Sequence, residues 1–193
     1  MKKAIICHGV SPSFESNAEN DFPGCSRSWL GWLQQRYIIA GVNCQNPCFP
    51  NSWRPARKYP DDVNVFSRLE LDADTRLVGH SCGAGFLLKY LGENPELKAR
   101  HLVLVAPWIG FGEPLNYYFE NLELDPDLPN RINRIDLFYS TNDIAGVQES
   151  VKKIMEIYPN INMHNMGDKG HLRADDFGTH EFPELWEVCK SEI

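Results

Sequence analysis

The sequence predicts an α/β fold, a doubly wound and mostly parallel sheet of about six strands flanked by helices. Two observations carry this. Short apolar runs alternate along the whole chain with segments of helical periodicity, the pattern of repeated βα units. Near the middle, Gly79-His80-Ser81-Cys82-Gly83 stands between a strand-like Thr75–Val78 and a helix-like Ala84–Leu91. A G-x-S-x-G in that setting marks a sharp strand-to-helix turn with the serine at its apex. The 193 residues suffice to bury a real core and read as one domain, 1–193, with no repeat, low-complexity tract or dividing linker.

The elements follow in order. Lys3–Cys7 is an apolar run of buried-strand type, and a long loop follows it. Ser26–Ala40, rich in Trp, Leu and Ile, reads as a helix closed by Gly41, and Val42–Gln45 as a short strand. Pro47, Pro50 and Pro55 mark a loop. Asp61–Leu69 reads as a helix, with Asp61 and Asp62 at its positive end. In the helix after the serine, Ala84, Leu87, Leu88 and Leu91 keep the i, i+3, i+4, i+7 spacing, and Gly92, Asn94 and Pro95 end it. Strands are then expected at His101–Val105, Ile135–Thr141 and Ile161–Met166, and helices at Val147–Tyr158 and Glu181–Cys189.

Composition narrows the function. Hydrophobic residues make up 42% and charged residues 23%, the balance of a soluble globular protein. A net charge of −7 argues against a nucleic-acid surface, and Arg54–Lys58, the longest basic cluster, reads as a solvated loop. No secretory leader and no membrane-length apolar run is visible, so a cytoplasmic location is expected, with no membrane partner. In that compartment the six scattered cysteines read as thiols, and Cys44 and Cys48 lack a second pair at zinc-like spacing.

Within this frame Ser81 is the candidate nucleophile. The flanking glycines let the turn close, and the helix that follows aims N–H groups at a developing oxyanion. A base and an orienting carboxylate should come later in the chain, acid before histidine. Of six histidines, His171 sits in a glycine-flanked loop beyond a strand, free to reach the serine. Asp143 follows the strand ending near Thr141 and is the candidate acid. Asp168 is the runner-up, and Asp136 is set aside because it is read at the start of its strand, the wrong end of the sheet. The oxyanion donors are read as the backbone N–H groups of Cys82 and Val10, the latter in the loop His8-Gly9-Val10 after the first strand. Trp108, Phe111 and Tyr117, in the long connection 106–134, are candidate pocket residues with His8 and Gly9. An alternative is that a short helix, Pro114–Asn121, simply packs these rings on the domain.

The His8-Gly9 strand end, the elbow, the Ser140–Asp143 segment and Gly170-His171-Leu172 resemble those of the small α/β-hydrolases that include retinoblastoma-binding protein nine and bacterial YdeN. Trp32 resembles the aromatic position on that family's first helix. The resemblance implies a compact serine hydrolase without a cap domain, with Ser81, Asp143 and His171 as its triad, acting on small ester or peptide-like substrates. No metal or organic cofactor is expected. Thioesterase or aminopeptidase-like chemistry is an alternative, as is a non-catalytic protein-binding member of the fold; a protein partner is not legible in the sequence.

Overall fold

The computed structural model describes residues 1–11, 24–26, 28–53, 56–112 and 117–193. Six strands, β1 (Lys3–Cys7), β2 (Asn43–Gln45), β3 (Thr75–His80), β4 (Ala99–Val105), β5 (Ile132–Tyr139) and β6 (Asn162–Asn165), form one sheet. Their order is β2-β1-β3-β4-β5-β6 and every pairing is parallel. The central strands are apolar on both faces because helices cover both: Leu77, Val78 and Leu102 to Val105 are all fully buried. Side chains of this kind contribute about 1.5–3 kcal/mol each on burial.

Among the described residues six helices flank the sheet: α1 (Trp29–Ile39), α2 (Tyr59–Phe66), α3 (Cys82–Glu93), α4 (Ala145–Ile157), α5 (Ala174–Phe177) and α6 (Pro183–Lys190). The chain steps outward once, from β1 to β2, and then back across the sheet. Right-handed crossovers therefore put α1 on one face and α2, α3 and α4 on the other. Ring contacts agree: α1 meets α6 through Tyr37 and Trp186 at 5.6 Å, while α2 meets α3 through Phe66 and Phe86 at 5.2 Å. No helix among the described residues is long and apolar enough to cross a membrane.

Several expectations need correction. The helix read over Ser26–Ala40 begins at Trp29, after a separate 3-10 turn at Gly24–Ser26. Gly92 does not stop α3, which runs on to Glu93 with Asn94 as its cap. The stretch Asp61–Leu69 starts two residues earlier, at Tyr59, and stops at Phe66. Helix α5 was not anticipated. Of the proposed Pro114–Asn121 helix, 114–116 lie outside the described residues, and 117–121 form turns.

Three corrections concern chemistry. Cys25 and Cys48 are joined in a disulfide, Cα atoms 5.0 Å apart, whereas Cys7, Cys44, Cys82 and Cys189 are buried thiols. Folding brings the turn before α1 against the loop after β2, which sets these two cysteines side by side. Arg57 is not a solvated loop residue but is fully buried; Arg54 and Pro55 of the same cluster lie outside the described residues. Asp136 stands mid-strand, paired in register with Val103 and Asn162, because β5 begins three residues earlier than expected. It is buried and accepts bonds from His101 (2.7 Å), Arg134 (2.6 Å) and His164 (2.7 Å). Burial pushes its carboxyl up, but these three donors outweigh burial and hold it well below the usual range.

Candidate active site

Ser81 is the single residue between β3 and α3, and it has φ 55° and ψ −121°. A non-glycine residue at such a positive φ costs on the order of 1–3 kcal/mol and persists only where neighbours over-determine it. Here they do. The Ser81 N–H donates to the Val105 carbonyl at 2.9 Å, and its own carbonyl accepts from Trp108 at 3.1 Å and Ala84 at 3.1 Å. The flanking glycines answer to steric need. A Cβ on Gly79 would lie 2.5 Å from Ala84 Cα, and one on Gly83 would lie 2.2 Å from the Cys7 carbonyl oxygen.

The turn delivers the serine to the carboxyl end of the sheet, where the loops after β1, β5 and β6 also gather. Ser81 Oγ lies 2.9 Å from His171 Nε2. His171 Nδ1 lies 2.9 and 3.0 Å from the two carboxylate oxygens of Asp143. An ionised carboxylate can only accept, so Nδ1 carries the proton and Nε2 is left to accept the serine hydroxyl. The Asp143 side chain is 1% exposed and that of His171 15%, so the row is sheltered yet reachable at the imidazole. Asp143 Oδ1 also accepts the Ile144 N–H at 2.7 Å, which fixes the carboxylate plane. Asp168 is placed elsewhere: it is exposed, and its carboxylate accepts the Thr141 hydroxyl.

The His171 loop is fastened by residues that the sequence did not single out. His80 Nε2 bonds the His171 carbonyl at 3.0 Å, and the two rings stand 5.0 Å apart. Burial, reinforced by the nearby His171, lowers the His80 imidazole to about 3, so it stays neutral and donates from Nε2. Asn142 Oδ1 accepts the Gly170 N–H at 2.7 Å, and Ser140 donates to the Gly170 carbonyl. Asp176 of α5 accepts the His171 N–H at 3.1 Å, and Trp29 of α1 donates to the Leu172 carbonyl at 2.8 Å. Only their nearness in sequence to Ser81, Asp143 and His171 could have flagged His80 and Asn142; the Trp29 bond spans 143 residues and left no such sign.

The loop after β1 lies against the elbow. A Cβ on Gly9 would stand 3.1 Å from Ser81 Cβ, so Gly9 permits a close approach. His8 is buried; its Nε2 accepts the Phe49 N–H at 2.9 Å and its Nδ1 donates to the Gly9 carbonyl at 2.7 Å. Cys82 is buried at the first position of α3. The aromatic candidates scatter. Trp108 is buried, donates from its indole to the Phe111 carbonyl at 2.7 Å and packs edge-on against Phe119. Phe111 lines a cavity of about 320 Å³ with Ile109, Phe119, Lys153 and Ile157, while Tyr117 is 81% exposed. A second cavity, about 370 Å³, opens at the amino ends of β5 and β6 beside Arg134, Tyr158 and Asn162. Among the described residues, Ser81 lines neither.

A six-stranded parallel sheet in this order, with a serine on the turn after β3, defines the α/β-hydrolase fold. No protein-family model and no curated protein matches the chain by sequence. Solved structures do match. The ydeN gene product of B. subtilis has a TM-score of 0.79 at 21% identity, covering 100% of this chain and 98% of that one. A monoacylglycerol lipase of Paleococcus ferrophilus has a TM-score of 0.63 at 13% identity, covering 99% and 95%. XC6422 of Xanthomonas campestris, an α/β serine hydrolase without a lid, has a TM-score of 0.60 at 14% identity, covering 98% and 79%. The YdeN resemblance seen in the sequence thus has its counterpart in the fold, and the neighbours sharing that fold include hydrolases and a lipase.

Proposed function

We propose that this chain is a serine hydrolase that cleaves small ester or amide, peptide-like substrates through an acyl-enzyme on Ser81, with residues 1–193 working as one domain. The observation that carries the proposal is the hydrogen-bonded row from Ser81 Oγ through His171 to Asp143, at 2.9 Å for each link. The hydrolases among the structural neighbours support the reaction class.

In the first step His171 Nε2 takes the hydroxyl proton as Ser81 Oγ bonds to the substrate carbonyl carbon. The N–H groups of Val10 and Cys82 receive the oxyanion, and Asp143 stabilises the imidazolium. His171 then gives its proton to the leaving alkoxide or amine as the acyl–heteroatom bond breaks. Water attacks the acyl-serine by the same route, regenerating the hydroxyl. This chemistry requires no cofactor or metal. A fluorophosphonate probe at neutral pH should label wild-type protein and leave Ser81→Ala unlabelled. Equal labelling of the two, or an unlabelled folded wild type, overturns the proposal.

A further inference from the structure

Behind the loop that follows β1 lies a buried charged group that the row of Ser81, His171 and Asp143 does not use. Arg57 is 0% exposed, between α2 and the His8-Gly9 turn. Its Nη1 donates to the His8 carbonyl at 3.2 Å and to the Gly9 carbonyl at 2.7 Å. Its Nε donates to Asp62 at 2.7 Å, and Tyr118 donates to the same carboxylate oxygen at 2.5 Å. The guanidinium packs over the Phe49 ring at 4.9 Å. Burial works against its charge, while the Asp62 carboxyl bonded to its Nε favours it.

Placing a guanidinium in such a site costs several kcal/mol unless its donors are satisfied, and apolar side chains could fill the same space. What the guanidinium does here is grip backbone. The peptide is planar and trans, so the Gly9 carbonyl and the Val10 N–H point in opposite directions. Pinning that carbonyl towards Arg57 turns the Val10 N–H away from it, on a turn whose Gly9 already abuts Ser81. The same stretch is held at both ends by the 49–53 segment: Phe49 N–H bonds the His8 ring at 2.9 Å and Ser11 N–H bonds the Ser52 carbonyl at 2.8 Å.

We propose that Arg57 is a positioning residue for the oxyanion hole, holding the His8 and Gly9 carbonyls from behind so that the Val10 N–H faces the carbonyl oxygen of a substrate on Ser81. The proposal rests on the serine-hydrolase function stated above and deepens it. Arg57 touches neither substrate nor Ser81; it acts through one peptide bond. Lysine is a poor substitute, because a single ammonium cannot hold two carbonyls and a carboxylate in one plane.

The test is steady-state hydrolysis of p-nitrophenyl acetate by Arg57→Ala, Arg57→Lys and the exposed neighbour Lys58→Ala, with thermal melts alongside. Loss of one oxyanion donor lowers kcat on the order of 10²–10³-fold, and Arg57→Ala should approach that with KM little changed. Millimolar guanidinium should restore part of the lost kcat in Arg57→Ala and none in Ser81→Ala; Lys58→Ala should match wild type. Should Arg57→Ala not fold, Arg57→Lys decides, with a kcat loss of at least about tenfold at an unchanged melting temperature expected. A folded Arg57 variant with wild-type kcat overturns the proposal, as does a loss that guanidinium leaves untouched and that tracks the melting temperature. Failure of wild-type protein to react at Ser81 overturns the hydrolase proposal first and this one with it, so the two failures are distinguishable.

Discussion

Gly83→Ala tests the steric logic of the elbow most directly, because in an ordinary helix the same substitution stabilises. Gly83 is the second residue of α3 and has no positive φ, so its backbone would accept alanine without strain. Helix propensity alone favours the change by about 1 kcal/mol. The new Cβ, however, would lie 2.2 Å from the Cys7 carbonyl oxygen and 2.6 Å from that of His8, against an ordinary separation of about 3.5 Å. Both obstacles are backbone at the end of β1, so neither can swing aside as a side chain would. Overpacking costs typically about 1–3 kcal/mol, and a backbone overlap this deep belongs at the upper end. Setting about 3 against about 1 leaves a net loss of about 2 kcal/mol, or about 4–8 °C in Tm for a chain of this length. Gly92, near the end of the same helix, is the internal control. Its added Cβ meets nothing closer than 3.6 Å, so Gly92→Ala should keep or raise the Tm. Thermal melts by circular dichroism at pH 7 compare the pair. A Gly83→Ala protein that melts at or above wild type would refute the contact argument. Turnover should fall in Gly83→Ala at 25 °C even where the protein is folded, since the displaced backbone leads into His8 and Gly9.

Two further outcomes follow from the site and from the sheet. Asp143→Asn should lower ester turnover by about 10⁴-fold with the melt little changed, and Asp168→Asn should leave turnover near wild type; the reverse pattern would move the acid role to Asp168. Asp136 is held below its ordinary range in the folded state, so its bonds to His101, Arg134 and His164 contribute stability that is present above the unfolded value of about 3.9 and lost as pH falls further. The wild-type Tm should therefore drop more steeply below about pH 4 than that of Asp136→Asn, which should already melt lower at pH 7; parallel curves for the two would rule Asp136 out as a source of acid sensitivity.

Much of the arrangement was legible because it rests on local rules. Strands buried on both faces are written as unbroken apolar runs, and Leu77-Val78 and Leu102 to Val105 are such runs. The glycines of the elbow answer to contacts with β1 and with the next turn of α3, so a short pattern carries a long-range constraint. Ser81, Asp143 and His171 each follow a strand, and a parallel sheet collects the carboxyl ends of its strands in one place. What escaped was set by partners distant in the chain. Arg57 looks solvated beside other basic residues, and only Asp62, Tyr118 and two carbonyls after β1 make its burial tolerable. Asp136 looked like the start of a strand because Asn133 and Arg134 before it are polar, yet both belong to β5. The Cys25–Cys48 bond spans a separation of 23, with no spacing motif to announce it. Trp108 shows how an aromatic residue after a strand can serve packing: its indole is spent on the Phe111 carbonyl inside its own loop.

The two buried ionic clusters separate stability from chemistry. Asp136 is bound by side chains of β4, β5 and β6, all within the sheet. Arg57 is bonded instead to the backbone of the loop that abuts Ser81. Both clusters bury charge at a desolvation cost, and among the described residues each leaves polar atoms without a hydrogen-bond partner, Arg57 Nη2 and Asp62 Oδ1 in one and His101 Nδ1 in the other. Their difference lies in what the bonds hold. Side chains that bind one another fix the packing of strands, and loosening them alters folding free energy. A side chain that binds two consecutive carbonyls fixes the direction of a peptide, and loosening it alters where an N–H points. A donor misdirected by a fraction of an ångström loses transition-state stabilisation without exposing any core. On the proposed function, the Arg57 cluster at the carboxyl end of β1 bears on catalysis, whereas the Asp136 cluster, whose Arg134 and His164 side chains are 29% and 28% exposed, bears on the packing of the strands.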